Sequence, residues 1–282
     1  MPGVLYIVAT PIGNLNDMTP RAAATFGSVD FIAAEDTRVT LKLLNHLGLK
    51  KPMVSYYEHK TKEKGSYILN RIQAGESCAL CSDAGMPAIS DPGEEIVTDA
   101  LAMGIKVVPV PAASACVTAL AVSGQATGRF VFEGFLPVNN RQRKEHLEDL
   151  KGEKRTIIFY EAPHKLKRTL EDLIKAFGPD RSVTLCRELT KLHEEIQKTT
   201  LGQAAEFYRE TPPRGEYVLV MAGAPAQAEQ TREMSLEDAV EMAKSLMAEG
   251  QSASYAAKQA ALASGLSKSR IYRDITRGED SE

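Results

Sequence analysis

The chain has few cysteines, no long apolar run and no glycine-rich phosphate loop, and each absence removes a class of function. Its four cysteines are Cys78, Cys81, Cys116 and Cys186. The close pair sits in GESCALCSD, whose apolar centre reads as a buried strand. Residues three apart in a strand point to opposite faces, so a shared metal or a redox pair is not expected there. A zinc site would also need a second ligand pair at suitable spacing, and none is visible, so no metal is expected. No stretch of about 18 apolar residues suits a membrane span, and MPGVLYIVATP lacks the basic region and small-residue cleavage site of a secretory leader. The expectation is a cytoplasmic protein without membrane contact. The first strand runs into TPIGNL rather than G-x-G-x-x-G, which argues against a dinucleotide, and G-x-x-x-x-G-K-[ST] is absent.

What remains is an ordinary globular composition. With 282 residues, 43% of them hydrophobic, the chain can bury a sizeable core, and its length suggests about two domains. Thirty-four basic against 37 acidic residues leave a net charge of −3. Bulk charge therefore does not grip nucleic acid, although a local basic patch could.

The first third alternates strand and helix signals: strands at 4–10, 29–36, 77–82 and 105–110, helices at 19–27, 40–49 and 94–104. Such alternation implies parallel pairing in an α/β domain, placed here at 1–116. From 117 the rhythm changes. Strand patterns at 182–189 and 194–201 are joined only by TKLH, too short for a crossover, so they form a hairpin and the second domain, 117–225, holds a mixed sheet. A polar linker follows, then a helical extension within 226–282. There SLEDAVEMAKSLMAEG opens with a capping-box variant, and two short helices meet at Gly265 like a helix-turn-helix. Lys258, Lys268, Arg270, Arg273 and Arg277 make that end basic. A solvated helical appendage and an RNA-contacting one are both consistent with this pattern.

The stretch SDAGMPAISDPG, residues 82–93, combines Asp83 and Asp91 with turn residues and carries no Lys or Arg. It repels phosphate but suits ribose hydroxyls or a cation, and its apolar members could bracket a base. That describes a cationic nucleoside without phosphates, such as S-adenosylmethionine. Asx-type capping of the turn is the plainer alternative. Further polar clusters, AAEDTR, FYEAPHK, CRELTK and PRGEY, are read as following strand patterns and point to one cleft between the domains.

Taken in order, VATPIGNLNDMTPRA, AAEDTR, SDAGMPAISDPG, FEGFLP, TIIFYEAPHKL, CRELTKLHEE and RGEYVLV resemble the motif series of the ribosomal small-subunit RNA methyltransferase I family, over roughly residues 4–222. The resemblance implies a tetrapyrrole-methylase-type fold of two α/β domains, a homodimer, and S-adenosylmethionine-dependent methylation of a cytidine ribose 2′-hydroxyl in the decoding region of small-subunit RNA. It implies cofactor contacts from Pro11, Ile12 and Gly13, from Asp83, Ala84, Gly85, Met86, Pro87 and Ala88, and from Ser114 and Ala115. The second domain would add Tyr160, Arg187, Gly215, Glu216 and Tyr217. Candidates for accepting or orienting the hydroxyl proton are Glu35, Asp36, Glu161, Glu188 and Lys191. Arg38, with Lys258, Lys268, Arg270 and Arg273, would meet RNA on the ribosomal subunit.

Two segments depart from the family pattern. PAASA places Ala112 where a glycine is usual, and a positive φ there would strain it. YYEHKTKE lacks an asparagine and gains Lys60 and Lys62. A small-molecule methylase acting on a tetrapyrrole precursor, and a binding protein without chemistry, are the competing readings. The basic tail speaks against the first, the intact loop against the second.

Overall fold

The computed structural model describes residues 2–57, 61–225 and 234–276. The chain divides into two compact units, residues 1–224 and 225–282. Lys60, part of the linker pattern and Arg277 lie outside the described residues.

The first unit holds two five-stranded sheets. In the first, β1 (Val4–Val8), β2 (Phe31–Ala34), β3 (Met53–Ser55), β4 (Cys78–Cys81) and β5 (Lys106–Val110) are ordered β3-β2-β4-β1-β5 and pair in parallel. Side chains alternate between its faces with the period of two that a strand imposes. Leu5, Ile7, Phe31, Ala33, Cys78 and Leu80 join one buried cluster, whereas Val8, Ile32, Ala34, Ala79 and Cys81 join another. Cys78 and Cys81 thus diverge, and both thiols are free. Helices α1 (Pro20–Ser28) and α2 (Thr37–His46) cover the Val8 face, while α3 (Thr61–Gln73) and α4 (Glu94–Ala102) cover the Leu5 face. The connections leaving the neighbours β1 and β4 therefore depart to opposite faces. That divergence opens a crevice at their carboxyl ends, the usual ligand position in such sheets.

The second sheet contains β6 (Phe130–Phe135), β7 (Thr156–Glu161), β8 (Ser182–Arg187), β9 (Glu195–Thr200) and β10 (Tyr217–Met221), ordered β6-β7-β10-β8-β9. Only β6 and β7 are parallel, and β8 and β9 form the expected hairpin. Alternation again splits the strands: Ile157, Phe159, Leu219 and Met221 face one cluster, Ile158, Val218 and Val220 the other. The first face is covered by α6 (Asn140–Asp149), α7 (Pro163–Phe177) and α8 (Leu201–Glu210). In α7, Leu166, Leu170 and Leu173 sit at spacings of four and three and are fully buried, each contributing about 1.5–3 kcal/mol. Proline at its first turn starts α7, and Gly178 at φ 84 ends it. The second face packs on α5 (Ala115–Val122).

Several boundaries differ from those read in the sequence. Helix α2 begins at Thr37 because Asp36 caps it, accepting a hydrogen bond from the Arg38 N–H at 2.8 Å. β3, α3, α5 and α8 carried no clear signal. β3 spans three residues, and α5, ACVTALAV, is apolar all round and so shows no stripe. Ala112 is absent from the residues at positive φ, so the glycine replacement brings no backbone strain.

In the second unit, α9 (Leu236–Ala248), α10 (Ala253–Ser264) and α11 (Lys268–Thr276) enclose their own small core of alanines with Ile271 and Ile275. Small residues permit the close packing of such short helices. Ser235 and Asp238 form a reciprocal capping box, and Gly265 ends α10 at φ 69, the left-handed conformation glycine accepts without a Cβ penalty.

Candidate functional site

A cavity of about 260 Å³ lies between the carboxyl ends of the first sheet and the α5-covered face of the second. That is near the lower end for small-molecule sites, roughly 300–1,000 Å³. Its first wall is made by the loops after β1 and β4. They are tied together where Thr10 N–H donates to the Gly85 carbonyl (2.9 Å) and Gly85 N–H to the Thr10 carbonyl (3.1 Å). Gly85 has φ +82, and a Cβ there would meet Ile12 Cγ2 at 3.3 Å, so a side chain at this position would be strained and crowded.

The second wall comes from the ends of β7, β8 and β10. Tyr160 stands against Phe132 and Phe135 in edge-to-face contacts at 4.9 and 5.6 Å between ring centres. Its hydroxyl accepts the Cys116 N–H at 3.0 Å, fastening the start of α5. Burial pushes the Tyr160 hydroxyl up to about 12, so it remains a neutral phenol.

Among the described residues, the non-glycine positions with positive φ are Ala88, Ser90, Glu188 and Thr190. All four belong to loops that build the two walls. Left-handed backbone costs such residues on the order of 1–3 kcal/mol, and it persists where the surroundings enforce it. The two loops also meet their neighbours closely. A Cβ on Gly13 would lie 2.5 Å from Lys191 Cγ, and one on Gly134 would lie 2.8 Å from the Ser90 hydroxyl.

Of the residues singled out in the sequence, Ile12, Ala84, Gly85, Met86, Ser114, Ala115, Tyr160, Glu161, Lys191, Glu216 and Tyr217 line the cavity. Pro11, Gly13, Asp83, Pro87, Ala88 and Gly215 shape its loops without lining it. Arg187 pairs across the hairpin with Glu195 at 3.0 Å and does not line it either. Lys258, Lys268, Arg270 and Arg273 are exposed on the helical unit. Ile89 and Asp91 of the quoted loop also line it, and the structure adds Ser90, Phe135, Leu189 and Val218. Asp91 was visible in the quoted loop, but nothing in its spacing set it apart from Asp83.

The candidate proton acceptors differ sharply in surroundings. Asp36 and Arg38 form an exposed bidentate pair, with Nη2 to Oδ2 at 2.6 Å, which holds the Asp36 carboxyl down at about 2. Glu35 accepts the Asp83 N–H at 3.3 Å, and Asp83 in turn accepts the Asp36 N–H at 3.1 Å. Burial raises Asp83 above its ordinary range, and burial together with nearby Glu35 and Asp83 raises Asp91 to about 6, despite a hydrogen bond from Ser82. On the other wall, Glu161 is buried, accepting the Ala162 N–H at 2.8 Å and the Thr169 hydroxyl. Arg143 completes that network, donating to Thr169 at 2.7 Å and to Asp172 at 2.8 Å. Burial would raise Glu188, but the Lys191 ammonium at 2.8 Å and the Glu216 N–H at 2.9 Å outweigh it and leave the carboxyl below its usual value. Lys191 also reaches Glu216 at 2.7 Å. No group of three or more His, Cys, Asp or Glu suited to a metal occurs among the described residues.

Residues 4–205 match the family described as Tetrapyrrole (Corrin/Porphyrin) Methylases. A Synechocystis protein named ribosomal RNA small subunit methyltransferase I is 48% identical over 96% of each chain. A Pseudomonas aeruginosa protein of the same name is 41% identical over 96% of each. The chain belongs to the tetrapyrrole methylase family, in its ribosomal RNA small subunit methyltransferase I group. A third relative in this group, from Halalkalibacterium halodurans, is 51% identical over 78% of this chain and 76% of its own. Solved structures of more distant proteins share the family's fold. Diphthine synthase superposes with a TM-score of 0.60 at 14% identity, covering 78% of this chain and 90% of its own. Cobalt precorrin-4 methyltransferase does so with 0.58 at 19%, covering 77% and 94%.

Proposed function

We propose that the chain transfers a methyl group from S-adenosylmethionine to the ribose 2′-hydroxyl of a cytidine in the decoding region of small-subunit ribosomal RNA, and that it works as a homodimer in the cytoplasm. The observation that carries the reading is the cavity itself, with Asp91 among apolar residues on one wall and the Tyr160 and Tyr217 rings on the other, in a chain whose relatives are named as ribosomal RNA methyltransferases. A carboxylate in the lining, such as Asp91, suits a positively charged donor and repels phosphates. The lining therefore fits a sulfonium nucleoside.

The residues that would hold it are Ile12, the backbone of Ala84 to Met86, Ser114 and Ala115, and the Tyr160 and Tyr217 side, with Asp83 supplying counter-charge from behind. Bound S-adenosylmethionine supplies an electrophilic methyl on a good leaving group. The chain's own task is to place the hydroxyl in line and take its proton late. Asp36, Glu161, Glu188 and Lys191 are committed to pairs that hold the walls. Asp91, raised to about 6, is ionised at neutral pH yet basic enough to accept that proton. Arg38 and the exposed Lys258, Lys268, Arg270 and Arg273 serve as phosphate contacts on the subunit.

Transfer of labelled methyl to small subunits lacking the modification tests the reading, with protein-free RNA and a tetrapyrrole precursor in parallel. Label recovered as one 2′-O-methylcytidine is expected. Label only in the tetrapyrrole would leave the donor site standing and remove the RNA substrate.

A further inference from the structure

On the outer side of the second sheet, across it from the cleft, α6 and α7 leave a groove of about 490 Å³. Five cations line it: Arg143, Lys144, Lys151, Arg168 and Lys175. Only two carboxylates, Glu148 and Asp172, stand among them. Asp172 alone serves three of the cations, Arg143 at 2.8 Å and Arg168 and Lys175 at 3.7 Å each. Lys151 takes Glu148 at 2.8 Å. Five positive against two negative charges leave three uncompensated, in a chain whose total is −3.

The arrangement is more than a solvated helix face. The Arg143 side chain is only 7% exposed and is fixed from below by Thr169 and Asp172, so one guanidinium is set in place before any ligand arrives. Arg168, held by Asn140, provides a second planar donor, and the Lys144 and Lys175 ammoniums lie at the open rim. Guanidiniums match the paired oxygens of phosphate, and mobile ammoniums track a backbone without reading its sequence.

We infer that the groove between α6 and α7 is a docking site for the phosphate backbone of ribosomal RNA, remote from the reacting nucleotide. The inference rests on the RNA-methylation reading for the identity of its partner. A structured RNA much larger than the cleft can contact both sides of the second sheet, which a small substrate cannot. Binding at the groove would hold the substrate without adding to the chemistry, so it would lower KM and leave kcat alone.

The test is the triple variant Lys144→Gln, Lys151→Gln, Lys175→Gln, in which three surface ammoniums are neutralised and the buried Arg143 is untouched. Binding to small subunits and to protein-free small-subunit RNA is measured against salt concentration. Each lost phosphate contact lowers the salt slope by about one. The expected result is a slope smaller by about two to three, affinity for both RNA forms at least about tenfold weaker near 0.1 M salt, and unchanged affinity for S-adenosylmethionine. Unaltered slope and affinity would overturn the proposal. So would loss of subunit binding with protein-free RNA unaffected, which would assign the groove to an acidic ribosomal protein. Methyl transfer by the unmutated chain reports separately on the parent reading, and the salt slope decides the groove whether or not transfer occurs.

Discussion

The two walls of the cleft both end in carboxylates, yet they treat them oppositely. On the second wall each one is spent on structure: Glu161 is closed off by Thr169 and the Ala162 N–H, and Glu188 holds Lys191 and the Glu216 backbone. On the first wall, Asp83 and Asp91 crowd with Glu35, and burial raises both. Stability favours the first arrangement, because ions desolvated beside like charges cost free energy. An acidic cluster kept at such a cost is the side suited to a cation or a proton. The difference separates a wall whose carboxylates are paired from one whose carboxylates are crowded.

The largest effect that could break this contrast comes from Asp91→Asn. Turnover is expected to fall about 100-fold or more, the acid limb of the rate profile near pH 6 to vanish, and thermal stability to hold or rise. Equal turnover would move the proton acceptor elsewhere. Glu161→Ala should do the reverse, lowering stability in denaturant by about 1–3 kcal/mol through the stranded Thr169–Arg143 network. Gly215→Ala is next. Gly215 has φ +76 and a Cβ there would overlap Glu188, so a loss of about 1–2 kcal/mol is expected, with Glu188→Gln removing part of the same contribution.

The pH dependence of stability sharpens the contrast further. Asp91 holds its proton more tightly folded than unfolded, so it makes the chain less stable as pH rises from about 4 to about 6. Glu188 is shifted the other way. Its contribution is present above its ordinary value of 4.5 and is lost as pH falls below it. Melting curves from pH 4 to 7 for Asp91→Asn and Glu188→Gln should depart from the parent in opposite directions. The smallest effect is Arg38→Ala. Its pair with Asp36 is exposed, the Arg38 side chain at 85%, and the melting temperature should be unchanged, while RNA affinity reports whether Arg38 meets phosphate.

Much of the layout was legible in the chain. Period-two alternation and helix caps located most strands and helices, and the TKLH spacing required the β8–β9 hairpin. α5 was not legible, since a helix that packs on a sheet while lying beside a cleft is apolar on every side and has no stripe. Nor was the division among carboxylates. Glu161 and Asp91 look alike as residues beside turns, and a local pattern says nothing of Thr169, eight residues on, or of Glu35, 56 residues back. The sequence by itself determined the two sheets, the loops that gather at their ends and the family. Only the tertiary structure decided which charges are neutralised and which are left crowded, because that depends on burial and on partners distant in the chain, and both exist only once the sheets have packed.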